Sequence, residues 1–225
     1  MTRRQRHIFT FIFRVVLLGA AVLFPTGEMF RWLVWLYLAA DMLWRLVPNR
    51  RIALGARKHF ACSFKAVETA EASEKGEAAA PPADTRPLHR GAALSLLGWL
   101  AGTAAIIAAL FFTGRLTANA VFILMLVYAV TDIGFILFFC PFRHFFMKHN
   151  CCAHCRIYNW DYFFMCAPLM LFPGLFSISL FALAVAVLLR WEVALWRHPE
   201  RFSPTTNANL QCAHCTDKLC KRGVN

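Results

Sequence analysis

The chain has 225 residues, of which 59% are hydrophobic and only 16% charged, whereas an ordinary soluble domain is roughly 45–50% apolar and about 25% charged. That balance excludes a soluble enzyme domain. Twenty-four Lys and Arg against twelve Asp and Glu leave a formal charge of +12, but these cations flank long apolar runs instead of forming one aromatic-interleaved stripe, so no nucleic-acid partner is expected and the lipid bilayer is.

The length accommodates four to six spans of about 20 residues in one membrane domain. Apolar stretches fall at about 8–24, 30–47, 92–112, 119–139 and 162–190. The fold class they predict is an all-α integral membrane protein: four transmembrane helices, a fifth broken or re-entrant hydrophobic segment, and a small Cys-rich cytoplasmic cap.

Residues 1–47 read as a transmembrane hairpin. Arg3, Arg4 and Arg6 precede an apolar run, as in a signal peptide. Arg14 interrupts that run, Phe24-Pro25-Thr26-Gly27 is no small-x-small cleavage site, and a second apolar segment follows at once. A retained helix is therefore expected. Residues 48–91 are the cytoplasmic connection. Within them, 50–65 mixes Arg and Lys with Ile52, Leu54, Phe60 and Phe64, which reads either as a helix lying among lipid headgroups or as an ordinary basic loop. Residues 66–90 are rich in Ala, Glu and Pro without apolar periodicity, and are expected to be a disordered linker without chemistry. A second transmembrane hairpin covers 92–139, and 140–225 holds a Cys-rich loop, the broken segment and a Cys-rich tail.

Lys and Arg set the orientation. Three precede the first helix, eight lie in 48–91 and three in 140–161, against none in 25–29 and Arg115 alone in 113–118. The N-terminus, the 48–91 segment and the 140–161 loop are thus placed in the cytoplasm. The tail, with Arg190, Arg197, Arg201, Lys218, Lys221 and Arg222, also belongs inside by this rule, yet one crossing by 162–190 would put it outside. Pro168 and Pro173-Gly174 interrupt that stretch, and such residues break helices and reverse chains. Two readings stand: a re-entrant hairpin with its tip near Pro173-Gly174, or one long kinked helix with the tail outside.

Arg14, Asp41 and Asp132 lie inside apolar segments, where an unpaired charge costs at least about 2.5–3.5 kcal/mol. Counted from the cytoplasmic end of each helix, all three sit at a depth of roughly 9–11 Å. They are expected to form one buried cluster, with Arg45, one turn from Asp41, as a competing partner. Such a cluster serves either helix packing or a proton or ion path.

Seven of the nine cysteines fall in two polar strings, Cys140 to Asp161 and Cys212 to Cys220, and Cys-Ala-His-Cys occurs in both, at 152–155 and 212–215. Two Cys-x2-Cys knuckles offer four thiolates to one tetrahedral ion. The metal-site reading uses Cys152, Cys155, Cys212 and Cys215, with Cys151 and Cys220 as extra thiols and His154 and His214 as substitute ligands. Zn²⁺ is the simplest occupant and an iron–sulfur cluster the alternative cofactor. Arg156 and Thr216 follow the knuckles where a c-type haem would need His. The metal reading requires both strings on one face of the bilayer. A second reading makes the knuckles redox pairs of a membrane thiol:disulfide oxidoreductase acting with quinone, and gains from a tail outside. A third leaves them structural disulfides or inert thiols. Cys62 and Cys166 read as plain packing or interfacial thiols.

Around the knuckles, Asp161 or Glu200 is expected to pair with Arg156, Arg197 or Arg201. Trp160, Tyr162, Trp191 and Trp196 suit an aromatic belt at the membrane surface. No nucleophile with a matching base, phosphate-cradling loop or zinc-protease motif is present, so no catalytic residue is assigned and an enzyme is not favoured. A partner protein at the cytoplasmic face is expected, docking on the cap or exchanging electrons with it. A small transporter built on Arg14, Asp41 and Asp132 is the remaining class.

The strings CPFRHFFMKHNCCAHCRIYNWDYFFM and RWEVALWRHPERFSPTTNANLQCAHCTDKLC resemble those of a family of small bacterial polytopic membrane proteins with paired Cys-x2-Cys motifs. The resemblance covers about residues 130–220 and, in pattern only, the N-terminal helices. It implies a bacterial cytoplasmic membrane location and supplies no activity, cofactor or catalytic residue.

Overall fold

The computed structural model describes residues 3–24, 27–47, 58–67, 86–147 and 155–211. Its long helices are α1 (Arg3–Leu23), α2 (Glu28–Leu46), α3 (Arg86–Phe112), α4 (Ala118–Leu137) and α6 (Leu175–Arg197), and a short α5 (Asp161–Cys166) runs into a 3₁₀ turn at Ala167–Leu171. Among the described residues there is no strand, only an antiparallel bridge between Ala66 and Asn207.

Local sequence sets the helix ends. Gly114 takes φ 66° just beyond α3, and Arg115 N–H donates 2.8 Å back to Leu110 O, so a residue without Cβ sits where the chain leaves the helix left-handed. Thr117 then caps α4, its hydroxyl accepting from Ala120 N–H at 3.1 Å. Phe172-Pro173-Gly174 separates the 3₁₀ turn from α6.

Among the described residues, four helices are long and apolar enough to cross a membrane: Arg4–Leu23, His89–Phe112, Ala118–Leu137 and Leu175–Arg197. This set differs from the four spans expected from the sequence. The 30–47 stretch forms α2, but Glu28, Arg31, Asp41 and Arg45 put four charges in its 19 residues. The 162–190 stretch divides at Pro173-Gly174, and its second part is a full-length helix.

The bundle packs through stripes at helical spacing. Val34, Leu38 and Met42 of α2 and Leu180, Ala184, Val187, Trp191 and Leu195 of α6 are buried, and Trp35 Nε1–H donates 2.8 Å to Ser179 Oγ between the two helices. On α4, Gly134 faces the Phe11 ring of α1, and Phe11 meets Phe138 edge to face at 5.6 Å. Met165, Cys166 and Leu169 of the short segment complete the core. Opposite faces are apolar and exposed, as at Phe9, Ile12 and Val16 of α1. In water such faces would be a liability, and on a spanning helix they meet lipid.

Between the helices, the described part of the 50–65 segment follows the loop reading and not the helix reading. Residues 58–65 contain no α-helix: a 3₁₀ turn at Ala61–Ser63 packs Phe60 against Trp191, with Lys58 and His59 buried. The tertiary contact with Trp191 outweighs amphipathicity here. Residues 50–57 and 68–85 lie outside the described residues, while Arg86–Arg90, expected in the linker, begin α3.

Candidate functional site

Arg14 is the centre of a buried ionic network. Its guanidinium lies 3.3 Å from Asp132 Oδ2 and 3.9 Å from Asp41 Oδ2. It also donates 2.7 Å to Ala129 O and 3.1 Å to the Tyr37 hydroxyl, so α1 is tied to α2 and α4 by one fully buried side chain. Placing Arg14, Asp41 and Asp132 at equal depth on three helices is what allows the contact. Arg45 continues the network: it lies 3.9 Å from Asp41 and donates 2.7 Å to Asp161 Oδ2, while its guanidinium covers the Tyr162 ring at 4.5 Å. The Tyr162 hydroxyl donates to Asp41. Desolvation makes each of these ions costly alone, and the fork of Arg is suited to bridging several acceptors.

Two members were misassigned from sequence. Asp161 pairs with Arg45, not with Arg156, Arg197 or Arg201, because α5 starts beside the end of α2. Tyr162 and Trp191 are fully buried, not parts of a surface belt, whereas Trp196 is exposed. Tyr37 and Ala129 were missed. An apolar helix that carries Asp41 four residues on from a Tyr gives a usable signal for the first, and a backbone acceptor gives none for the second.

The network borders a cavity of about 330 Å³ between α3, α4 and the 140–164 region. Its walls are largely apolar and aromatic, including Trp99, Phe135, Phe142 and Phe164, and Asp132 and Asp161 also line it. Trp99 stacks on Phe164 at 4.6 Å. Cys140 and Cys155 are also wall residues. Two buried polar atoms of the walls have no hydrogen-bond partner among the described residues, Asp161 Oδ1 and Trp99 Nε1.

A third feature gathers the flanks of both cysteine strings. Trp191 of α6 is fully buried, and its Nε1–H donates 2.7 Å to Arg156 O, directly after Cys155. The same indole meets Phe202 edge to face at 4.9 Å, ten residues before Cys212. One position further along α6, Glu192 accepts from both terminal nitrogens of Arg156 and from Trp160 Nε1 at 2.7 Å. Glu192 had no place in the sequence reading, although a lone carboxylate on the apolar face-rich α6 is a signal for a buried pair. Glu200 contacts His198 at 3.2 Å and Arg201 at 3.7 Å, and Asn207 donates to Lys58 O and Arg201 O at 3.1 and 2.8 Å, holding the tail to the 58–67 segment.

Of the expected metal ligands, Cys155 is described and buried. Cys151, Cys152, His154, Cys212, His214, Cys215 and Cys220 lie outside the described residues. Among the described residues no group of three or more His, Cys, Asp or Glu is arranged to hold a metal ion. Cys166 is in the core as a packing thiol and Cys62 is half-buried. No family model, curated protein or solved structure matches the chain, so its chemistry has to be argued from these residues.

Proposed function

We propose that this is an integral protein of a bacterial cytoplasmic membrane, with its N-terminus in the cytoplasm and a four-thiolate metal site on the cytoplasmic face. Cys152, Cys155, Cys212 and Cys215 would be the ligands, with Cys151, Cys220, His154 and His214 beside them. Zn²⁺ suits a closed four-sulfur structural site, and an iron–sulfur cluster is the form in which the same ligands would relay electrons to a partner. The supporting observation is that one side chain, Trp191, contacts the residue after the first Cys-Ala-His-Cys and a residue shortly before the second. Ligands of one ion have to lie on one face of the bilayer, and flanks that meet on one indole support that reading.

The hairpin reading of 161–197 belongs to the same proposal. Arg156 and Trp160 at its start meet Glu192 near its end, while Phe172, Gly174 and Leu175 share a cavity with Glu28, Arg31 and Ala118, which begin α2 and α4. A chain that enters and leaves at one face with its turn toward the other would give those contacts. The soluble segments are too small to bury a core of their own, so bound metal would supply part of their folding free energy.

The test is metal and sulfide analysis with an absorption spectrum on protein purified in detergent without oxygen, for the native chain, Cys152→Ser and Cys215→Ser. About one zinc per chain, reduced together with yield in both variants, is expected for the structural cap. Iron, sulfide and a brown chromophore would select the electron-relay form. Absence of metal, or metal retained in both variants, would overturn the proposal.

A further inference from the structure

We propose that the cavity beside the ionic network binds a lipophilic primary or secondary ammonium ion, its N–H group donating to Asp161 Oδ1 and its apolar body lying among Trp99, Phe135 and Phe142. Three observations specify that class independently of the metal cap.

The first is the orphan acceptor. The Asp161 side chain is only 7% exposed. Its Oδ2 receives Arg45, while Oδ1 is buried without a partner among the described residues, and the residue lines the cavity. Buried carboxylate oxygens are ordinarily hydrogen-bonded, so this one calls for a donor from the cavity side.

The second is charge. Among the described residues the network contains the carboxylates of Asp41, Asp132 and Asp161 and the guanidiniums of Arg14 and Arg45, a formal surplus of one negative charge. Asp41 is held by both arginines and by Tyr162, whereas Asp132 and Asp161 are the two carboxylates in the cavity wall. A cation in the cavity would lie beside two of the three carboxylates that share this surplus. A single positive charge there balances the network, and an anion is repelled.

The third is the wall. An inorganic cation would need several oxygen ligands to replace its hydration shell, and this cavity offers two carboxylates among aromatic and aliphatic side chains. An ammonium ion on an apolar body needs fewer: one donor to Asp161, cation–π contact with the surrounding rings, and burial of its hydrocarbon. The orphan Trp99 Nε1–H favours a ligand that also carries an acceptor, but an unbalanced buried charge is the more costly defect and so decides the class. A quinone fits poorly by the same reasoning, since its carbonyls only accept and leave Asp161 Oδ1 unmet.

Phenylbutylammonium is the probe, with phenylbutanol and phenylbutanoate as neutral and anionic counterparts of the same shape, titrated onto the full-length chain in detergent by calorimetry. The ammonium ion is expected to saturate at one per chain and to bind about tenfold or more tightly than the alcohol, with no saturable binding of the carboxylate. Gly102 lines the cavity and has nothing within 4 Å of a Cβ placed on it, so Gly102→Leu fills the space without touching the network and is expected to abolish binding. Asp161→Asn is expected to erase the preference for ammonium over alcohol. Should Asp161→Asn fail to fold because Arg45 loses its partner, Gly102→Leu still decides. Equal binding of ammonium and alcohol by the native chain, or unchanged binding by Gly102→Leu, would overturn the proposal. Metal content is expected to be the same in Gly102→Leu and the native chain, which separates this result from the fate of the cysteine site.

Discussion

Arg14→Met tests the buried network most directly. The substitution keeps an unbranched apolar stem in α1 but removes the guanidinium that lies 3.3 Å from Asp132 and 3.9 Å from Asp41 and that donates to Ala129 O. Among the described residues, Arg45 would then be the only cation of the network facing three carboxylates. Removing one partner of a buried ion pair costs about 3–5 kcal/mol, because the remaining charge is left desolvated. Asp132 keeps some exposure, 19% of its side chain, which places the expected loss toward the lower end of that range. For a chain of this size each kcal/mol moves Tm by about 2–4 °C, so a fall of roughly 6–12 °C is expected.

Intrinsic tryptophan fluorescence during heating in detergent reads this shift. The decisive comparison is a double-mutant cycle with Asp132→Asn, which deletes the charge that Arg14→Met strands. Coupling between contacting buried charges is about 0.5–3 kcal/mol, so Arg14→Met with Asp132→Asn is expected to melt above Arg14→Met alone. Arg14→Lys keeps the charge but not the planar fork and is expected to fall between. A Tm for Arg14→Met within about 2 °C of the native chain, or strict additivity in the cycle, would refute the account of this network as a mutually compensated ion cluster.

Trp191→Ala removes the indole that both cysteine flanks contact and is expected to cost about 3–5 kcal/mol, with metal content falling in the same preparation. Glu192→Gln leaves the Arg156 guanidinium without its counter-charge, and the expected result is a lower Tm that Arg156→Met in the same chain partly restores. Gly114→Ala imposes a Cβ at φ 66° and is expected to destabilise by about 1 kcal/mol, read as a shift of a few degrees in the same melt. Cys166→Ser places a hydroxyl in the apolar core and is expected to cost about 1–3 kcal/mol while leaving metal content unchanged, in contrast with Cys152→Ser.

Fold class was legible because membrane helices have to satisfy their backbone internally and therefore announce themselves as long apolar runs. The ionic network was legible for the same reason: a charge in an apolar run has few ways to be stabilised, and equal depth on neighbouring helices selects the partners. Asp161 and Glu192 were read less well. Both act through contacts between elements far apart in sequence, 116 residues for Arg45 with Asp161 and 36 for Arg156 with Glu192, and neither residue has a periodic neighbour that marks its face. The aromatic residues Tyr162 and Trp191 were read as interfacial from type alone, but type does not separate a belt residue from a buried hub. Their hydrogen bonds to Asp41 and to Arg156 O are the reason a polar-tipped ring sits in the core. The cavity had no sequence signature, since its walls come from α3, α4, α5 and the loop between them.

Geometry also yields a topological prediction. The arm formed by α5 and its 3₁₀ continuation spans Asp161 to Leu171, about 19 Å at the rises of those helices, which is short of the roughly 30 Å hydrocarbon core. With 23 residues, α6 reaches about 34 Å and spans it. On the proposed hairpin topology, an incomplete arm followed by a complete one returns the chain to the face it left if the first arm starts below the surface, as Asp161, paired with Arg45 inside the bundle, would do. The tail would then share a face with the 155–160 loop. A fluorescent protein that folds only in the cytoplasm, fused after Asn225, is expected to be bright, and alkaline phosphatase, active only outside, is expected to be silent there. The opposite pair of results would put Cys212 and Cys215 across the membrane from Cys152, which abolishes the shared metal site while leaving the Arg14 network and the ammonium cavity to stand on their own tests.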